Sequence, residues 1–438
     1  MSIKNNPKNE APRSNLRGIK RNPPSPPTLP SPPAGGFKGF SAPASPQRTA
    51  EYSATKDNNI LIVVLGPTAA GKTDFAIKLA KQFYGEIICA DSRTIYQQMD
   101  IGTAKPGSRE FSRINQERLR HHECSQINHE FPRITINDIA HYLIDIKRPD
   151  ENFTVAEFKE QALKIIKDIQ SRGKIPFLVG GTGLYISAIV HNLDIPKVAP
   201  DIKLRKKLET YSKKYGLKKL YAKLIKLDPG AKKFIDPRNP RRIIRALEIC
   251  LKTGRPFSGS RKKLKSPFKI LQIGINLPRQ QLYLQINRRV EKMIKDGLVQ
   301  EVKKLNKKYS INLPSMSGLG YRQIILYIKN EAPRSNLRGI KRNPPKPPAL
   351  LRPSLPAGRR GFGGFSAPAS PQRTAEYSAT ENKITLSEAI ELIKKDTRHY
   401  AKRQLTWFKR DKNIKWISPN NIARAQRIIK KFIKNEER

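Results

Sequence analysis

The sequence predicts an α/β fold: a P-loop NTPase-like parallel sheet with flanking helices and a small helical insertion module. Three observations predict it. The apolar run Ile60-Leu-Ile-Val-Val-Leu65 leads straight into Gly66-Pro-Thr-Ala-Ala-Gly-Lys-Thr73. A buried strand, a glycine-bounded loop and a helix start in that order cradle a di- or triphosphate. Further short apolar runs then alternate with helical spacings, as successive βα units of a parallel sheet do. Finally, a lysine-rich amphipathic stretch over 201–234 breaks this alternation and reads as a separate helical piece.

The elements follow in order. The loop residues Gly66, Pro67, Thr68, Ala69, Ala70, Gly71, Lys72 and Thr73 form the phosphate cradle. Its backbone N–H groups and the helix dipole hold phosphate oxygens, Lys72 adds a point charge, and the Thr73 hydroxyl reaches a metal or a bridging oxygen. Residues 74–83 carry Phe75, Ile77, Leu79, Ala80 and Phe83 at helical spacing until Gly85 breaks it. Residues 86–90 form a short buried strand that delivers Asp91 and Ser92 to the carboxyl end of the sheet, where ligands bind in such folds. Residues 141–145 and 175–179 read as further parallel strands, with a crossover helix over 156–170 between them. Gly180-Gly-Thr-Gly183 follows a strand and opens a helix over 184–190, so Thr182 stands near the anion site. Asp236-Pro-Arg-Asn-Pro-Arg-Arg-Ile-Ile-Arg245 starts another helix. Its Arg241, Arg242 and Arg245 crowd the N-terminal turns, against the dipole, which suggests a bound anion.

Lys and Arg total 86 against 36 acidic residues, a formal charge of +50. Solvent-covering lysines and a polyanionic partner both fit that excess. Cys89, Cys124 and Cys250 are scattered, without ligand spacing or a disulfide framework, so reduced thiols in the cytoplasm are expected. No apolar run has transmembrane length and the N-terminus has no apolar signal segment, so no membrane association is expected. His121, His122, Cys124 and His129 sit in the polar stretch 107–136. A zinc reading exists, but the spacing fits no standard pattern.

One sequence occurs twice. Residues 9–24 recur as 330–345, and 41–55 recur as 366–380. The copies 9–55 and 330–380 hold 19 of the 35 prolines, which excludes helices and central strands from them, so both are expected to be disordered. They carry +4 and +7, so the remainder keeps +39 and the polyanion argument does not rest on them. They resemble in-frame copies of mobile palindromic elements, which would be passengers. The competing reading is a basic arm that grips RNA. The expected organisation is an N-terminal extension (1–59), a first part of the core (60–200) with 107–136 as a polar insertion, a helical module (201–235), a second part of the core (236–329), the repeat insertion (330–380) and a C-terminal helical part (381–438). Helices are expected on both flanks of the second copy, because surface loops tolerate long insertions.

Six motifs stand in a specific order. They are the loop 66–73, Asp91-Ser-Arg-Thr-Ile-Tyr-Gln-Gln-Met-Asp-Ile-Gly-Thr-Ala-Lys-Pro106, Leu178-Val-Gly-Gly-Thr-Gly-Leu-Tyr185, Asn239-Pro-Arg-Arg-Ile-Ile-Arg-Ala-Leu-Glu248, Gly318-Leu-Gly-Tyr-Arg322 and Thr397-Arg-His-Tyr-Ala-Lys-Arg-Gln-Leu-Thr-Trp-Phe408. From about Ile60 onward, outside the repeat copy and 107–136, the chain resembles the bacterial tRNA dimethylallyltransferases, also called tRNA isopentenyltransferases.

The resemblance implies transfer of the dimethylallyl group of dimethylallyl diphosphate to N6 of adenosine 37, in tRNAs reading codons that begin with U. It implies a monomer that binds the tRNA anticodon stem-loop and a diphosphate with Mg²⁺. Asp91 matches the family's general base, Lys72 and Thr73 its diphosphate loop, with Thr73 a possible Mg²⁺ ligand, and Arg245 a residue that helps neutralise the diphosphate. The implied tRNA contacts are Asp91, Ser92, Arg93, Thr94 and Thr182, then Arg241, Arg242, Ile243, Ile244 and Arg245, and finally Ser317, Gly318, Leu319, Gly320, Tyr321 and Arg322. On the loop alone, a nucleoside or nucleotide kinase is an equal alternative. On charge alone, a non-catalytic RNA-binding protein is another.

Overall fold

The structure, a computed structural model, describes residues 59–106, 131–196, 198–261, 264–329 and 384–436. Seven strands form one sheet in the order β3-β4-β2-β5-β1-β6-β7. They are β1 (Ile60–Leu65), β2 (Gly85–Ala90), β3 (Arg133–Ile136), β4 (Ile139–Tyr142), β5 (Ile175–Gly180), β6 (Lys269–Ile275) and β7 (Lys415–Ile417). Every neighbouring pair is parallel except β3 with β4. β1 lies at the centre, flanked by β5 and β6, and all six of its residues are buried, as a doubly covered parallel strand requires.

β3 adds one antiparallel edge strand to the parallel sheet expected from the sequence. Asn137 and Asp138 both take left-handed φ, 50° and 65°, the conformation that a two-residue hairpin turn demands. Residues 133–136, read from sequence as the end of the polar insertion, are therefore an edge strand. The adjacent strand also starts and stops earlier than its apolar run suggests. It ends at Tyr142, because Leu143 and Asp145 turn to φ 61° and 56°.

Helices cover both faces. α1 (Lys72–Gln82) follows the phosphate loop, and α2 (Val155–Ser171) is the crossover from β4 to β5. A capping box of Thr154 and Glu157 starts α2. α3 (Gly183–Val190) opens from the Gly180–Gly183 turn. α1 and the last helix, α11 (Ile422–Glu436), pack on one face with Ile62, Val64, Ile87 and Phe177. α2 and α3 pack on the other with Leu61, Val63, Ile88 and Leu178.

The basic module is α4 (Ile202–Tyr215), α5 (Leu217–Leu227) and α6 (Pro240–Thr253). Leu220 and Leu224 share a core of their own with Ile243, Ile244 and Leu247. The module thus runs through 253, beyond the boundary at 235 drawn from the charge pattern. α7 (Arg279–Lys295), α8 (Leu298–Lys308), α9 (Tyr321–Lys329) and α10 (Leu386–Phe408) form a further core around Ile95, Tyr96 and Met99. Ile324 of α9 and Ile393 of α10 share this core, so the chain on both sides of 330–383 belongs to one packed unit. A second capping box, Thr385 with Glu388, fixes where α10 begins. Both repeat copies, the zinc reading at His121, His122, Cys124 and His129, and Cys124 itself lie outside the described residues.

Candidate active site

Two glycines permit the phosphate loop. Gly66 has φ 152°, and a Cβ there would stand 2.5 Å from the Ile275 carbonyl oxygen. Gly71, at φ 77°, is the N-cap of α1 and offers no side chain to satisfy the helix's first N–H groups. Those donors therefore face the loop, where an anion can take them. Lys72 Nζ donates to the Pro67 carbonyl at 2.6 Å. The loop is tied to the next turn by one buried side chain. Gln404 of α10 accepts from Thr68 N–H at 2.8 Å and donates to the Gly181 carbonyl at 2.8 Å.

β2 ends at Asp91. Its Oδ1 accepts from the Arg93 amide at 2.9 Å, which fixes the turn that carries it. Thr182 Oγ1 accepts from the Ser92 amide at 3.1 Å, locking the two strand-end turns together. Tyr400 of α10 lines the open cavity beside this turn, and burial pushes its phenol up to about 12. Arg93 spans to the loop before α9, donating to the Pro314 and Ser315 carbonyls at 2.7 and 3.2 Å and to Ser317 Oγ at 3.4 Å.

The segment after Asp91 is held by two charged side chains, one buried and one partly buried. Lys105 donates to the Tyr96 carbonyl at 2.6 Å and to the Asp100 and Asp145 carboxylates. Glu301 of α8 accepts from the Asp100, Ile101 and Gly102 amides and from the Tyr321 hydroxyl, all between 2.6 and 3.1 Å.

Two cavities result. An open one of about 810 Å³ is lined by Asp91, Ser92, Arg93, Ser317, Tyr400 and Arg403 among others. A small one of about 80 Å³ is lined by Lys72, Thr73, Cys89, Thr94, His141 and Gln404. Thr68, Asp91, Thr103 and Arg289 line both. Asp91 thus faces the phosphate loop on one side and the open cavity on the other. Burial lowers the Lys72 ammonium to about 8, against the pull of Asp91. Burial also lowers Arg289 below the usual guanidinium range. Cations destabilised by burial gain from an incoming anion.

The isopentenyl transferase family model matches residues 59–130, and the IPP transferase model matches 130–343 and 372–411. The tRNA dimethylallyltransferase of Acetivibrio thermocellus is 37% identical over 374 residues, covering 84% of this chain and 95% of that protein. That of Roseiflexus sp. is 38% identical over 355 residues, covering 81% and 91%. The chain belongs to the tRNA dimethylallyltransferase family. The crystal structure of a full-length tRNA isopentenylpyrophosphate transferase from Bacillus halodurans, 32% identical, superposes with a TM-score of 0.52 over 87% of this chain and 98% of that one. A eukaryotic dimethylallyltransferase acting on tRNA, 22% identical, shares the fold with a TM-score of 0.57. Membership in this family, whose named members transfer a prenyl group, removes the kinase and non-catalytic alternatives.

The structure brings Lys72, Thr73, Asp91, Ser92, Arg93, Thr182 and 317–322 to one end of the sheet. It separates the 241–245 segment. Arg245 lines neither cavity. It donates to Glu248 and to the Val198 carbonyl at 2.9 Å. Burial would raise the Glu248 carboxyl, but Arg205, the Asp201 amide and Arg245 outweigh it and hold the carboxyl low. A diphosphate role for Arg245 is thus not what this geometry offers, since its guanidinium is engaged in the module's own core. Ile243 and Ile244 are 0% and 7% exposed and pack their side chains inside the module. Arg241 and Arg242 are exposed. Thr94, 6% exposed, faces the small cavity and Cys89 instead of the surface. Gly318, Gly320 and Tyr321 are also buried, leaving Ser317 and Arg322 as the exposed members of that run.

Sequence reasoning missed Arg289, His141 and Glu301. Arg289 sits in Gln-Ile-Asn-Arg-Arg-Val, where a solvated helix face is the ordinary reading. Gln404 and Tyr400 fell inside the C-terminal motif, but nothing in their spacing assigned them a task.

Proposed function

We propose that the protein transfers the dimethylallyl group of dimethylallyl diphosphate to N6 of adenosine 37 in tRNAs that read codons beginning with U, acting as a monomer on the anticodon stem-loop. The observation that carries this reading is the position of Asp91, a carboxylate shared by a phosphate-loop cavity and an open cavity of about 810 Å³. That volume suits a flipped nucleobase with its ribose.

The chemistry follows from the lining. The diphosphate lies on the loop amides at the N-terminus of α1, with Lys72 and Arg289 beside it. As the allylic C–O bond breaks, the electron pair leaves on the bridging oxygen, and these donors stabilise the charge that develops there. The adenine N6 forms the new C–N bond. Its proton passes to Asp91, whose Arg93 amide bond keeps the carboxylate oriented. Thr182 and Ser92 hold the turn that presents the base, and Arg93, Ser317, Arg322 and Arg403 meet the RNA backbone.

Among the described residues no three His, Cys, Asp or Glu side chains cluster into a metal site. Mg²⁺ nevertheless fits, because it keeps several waters and takes phosphate oxygens with only one or two protein ligands. The Thr73 hydroxyl would hold it, and His141, whose Nε2 is buried without a hydrogen-bond partner, lines the same small cavity. When bound, the ion adds positive charge at the leaving diphosphate.

The test is to incubate purified protein with labelled dimethylallyl diphosphate, Mg²⁺ and an unmodified anticodon stem-loop, and to read the nucleosides by mass spectrometry. A five-carbon gain on adenosine 37 is expected. A gain at another nucleotide, or none, would refute the assignment.

A further inference from the structure

His141, on β4, is 1% exposed. Its Nδ1 lies 2.9 Å from the Ile139 carbonyl oxygen, which can only accept, so Nδ1 carries the hydrogen. In the neutral ring Nε2 is then an acceptor, and it has no hydrogen-bond partner. Burial favours that neutral form by lowering the ring's pKa. A buried acceptor left unpaired costs stability, so its retention calls for a donor. Two other groups that line the same cavity have partners of their own. Lys72 donates to the Pro67 carbonyl, and Cys89 shares a hydrogen with Thr94. His141 lines the small cavity with Lys72, Thr73, Asp91 and Arg289, and about 80 Å³ holds several waters.

We propose that His141 Nε2 accepts a hydrogen bond from a water in the coordination shell of the divalent cation that accompanies the diphosphate, and so positions that cation against Thr73. The inference rests on the diphosphate reading of the loop. His141 touches neither the reacting carbon nor the adenine, so it is a positioning residue. Its neighbour Arg289 supplies charge to the anion, while His141 supplies an acceptor to the hydrated cation. The two would therefore fail differently when removed.

The experiment titrates Mn²⁺ by electron paramagnetic resonance into the full-length protein with saturating inorganic diphosphate. Wild type, His141→Leu, His141→Gln and His141→Asn are compared. Loss of the outer-shell acceptor in His141→Leu is expected to weaken Mn²⁺ by about tenfold. Diphosphate binding in EDTA should stay unchanged, and melting should occur at the same or a higher temperature. The His141→Gln side chain can place its amide oxygen near the Nε2 position and should recover affinity to within about threefold of wild type. His141→Asn reaches only the Nδ1 position and should not. If His141→Leu fails to fold, the Gln–Asn pair carries the same comparison. Mn²⁺ affinity within about twofold of wild type in folded His141→Leu, or equal affinities for the Gln and Asn variants, would overturn the proposal. If wild type itself takes up no Mn²⁺ with diphosphate, the diphosphate–metal reading falls and this inference with it. Loss confined to the variants distinguishes the two cases.

Discussion

The two ends of the central sheet treat charge in opposite ways. At the amino end, Glu86 of β2 is 2% exposed and every oxygen is matched. Arg172 donates to both of its oxygens at 2.8 and 2.7 Å, Lys174 at 2.7 Å and the Tyr142 hydroxyl at 2.8 Å. Burial alone would raise this carboxyl, but Arg172, Lys174 and Tyr142 outweigh it and hold it at about 2. At the carboxyl end, Lys72 and Arg289 face one small cavity with Asp91 as its only acidic lining residue, and burial lowers both cations. A satisfied network fixes structure. A cluster left with an excess of one sign is poised for a ligand of the other. The difference separates structural charge from working charge along one strand and the residue that follows it, since Glu86 and Asp91 are five positions apart.

That contrast can be broken by substitution at either end. Asp91→Asn should reduce kcat by about 10²- to 10⁴-fold, the usual worth of a positioned general base, and leave tRNA affinity within a few-fold. Near-normal turnover would take the proton-acceptor role from Asp91. Lys72→Met should weaken diphosphate binding by about tenfold or more, in line with a lost charge-assisted hydrogen bond. It should also stabilise the fold, by about 0.5–2 kcal/mol, as removal of function-bound strain commonly does. The sign follows from the lowered pKa: the folded protein resists protonating Lys72, so wild-type stability rises with pH between about 8 and 10.5. Thermal melts across that window should show the rise in wild type and not in the variant.

Glu86→Gln should do the reverse, costing about 1–3 kcal/mol at neutral pH while kcat stays unchanged. Glu86 contributes stability above its unfolded value of 4.5 and loses it as pH falls toward 2. The gap between wild type and variant, followed by denaturant titration, should therefore close through that interval. A loss of kcat in Glu86→Gln would blur the division between the two ends. The smallest effect is expected on the basic module. Arg242→Ala should weaken tRNA binding slightly and lower the salt slope of log K by about 1, if this exposed side chain meets one phosphate. An unchanged slope would place the RNA path elsewhere.

Much of this site was legible because its parts are local. The phosphate loop, Asp91 and Thr182 each follow a short buried strand, and strand ends carry their own sequence signals. The hairpin at Asn137-Asp138 was missed because it lies against the polar stretch that precedes it. Arg289 and Glu301 were missed for a different reason. Each sits on a lysine- and arginine-rich helix, so composition reads them as solvent cover, although Val290 and Val302 beside them are buried. Only the packing of α7 and α8 against the 95–103 segment turns them inward. Arg245 shows the opposite case. Three arginines at a helix start looked like an anion site, yet Glu248 one turn later, fully buried, already supplies the negative partner. Ile243 and Ile244 stood in a contact motif but serve the module's core.

The most direct test of the contrast is calorimetric binding of dimethylallyl diphosphate between pH 7 and 9.5, on wild type, Lys72→Met and Glu86→Gln. If the carboxyl end holds unmatched positive charge for the diphosphate, wild-type affinity should fall as pH rises through about 8, where free Lys72 loses its proton. Glu86→Gln should follow the same curve, and Lys72→Met should be weak and flat. A flat wild-type profile, or a Lys72→Met variant that retains both affinity and slope, would contradict the account.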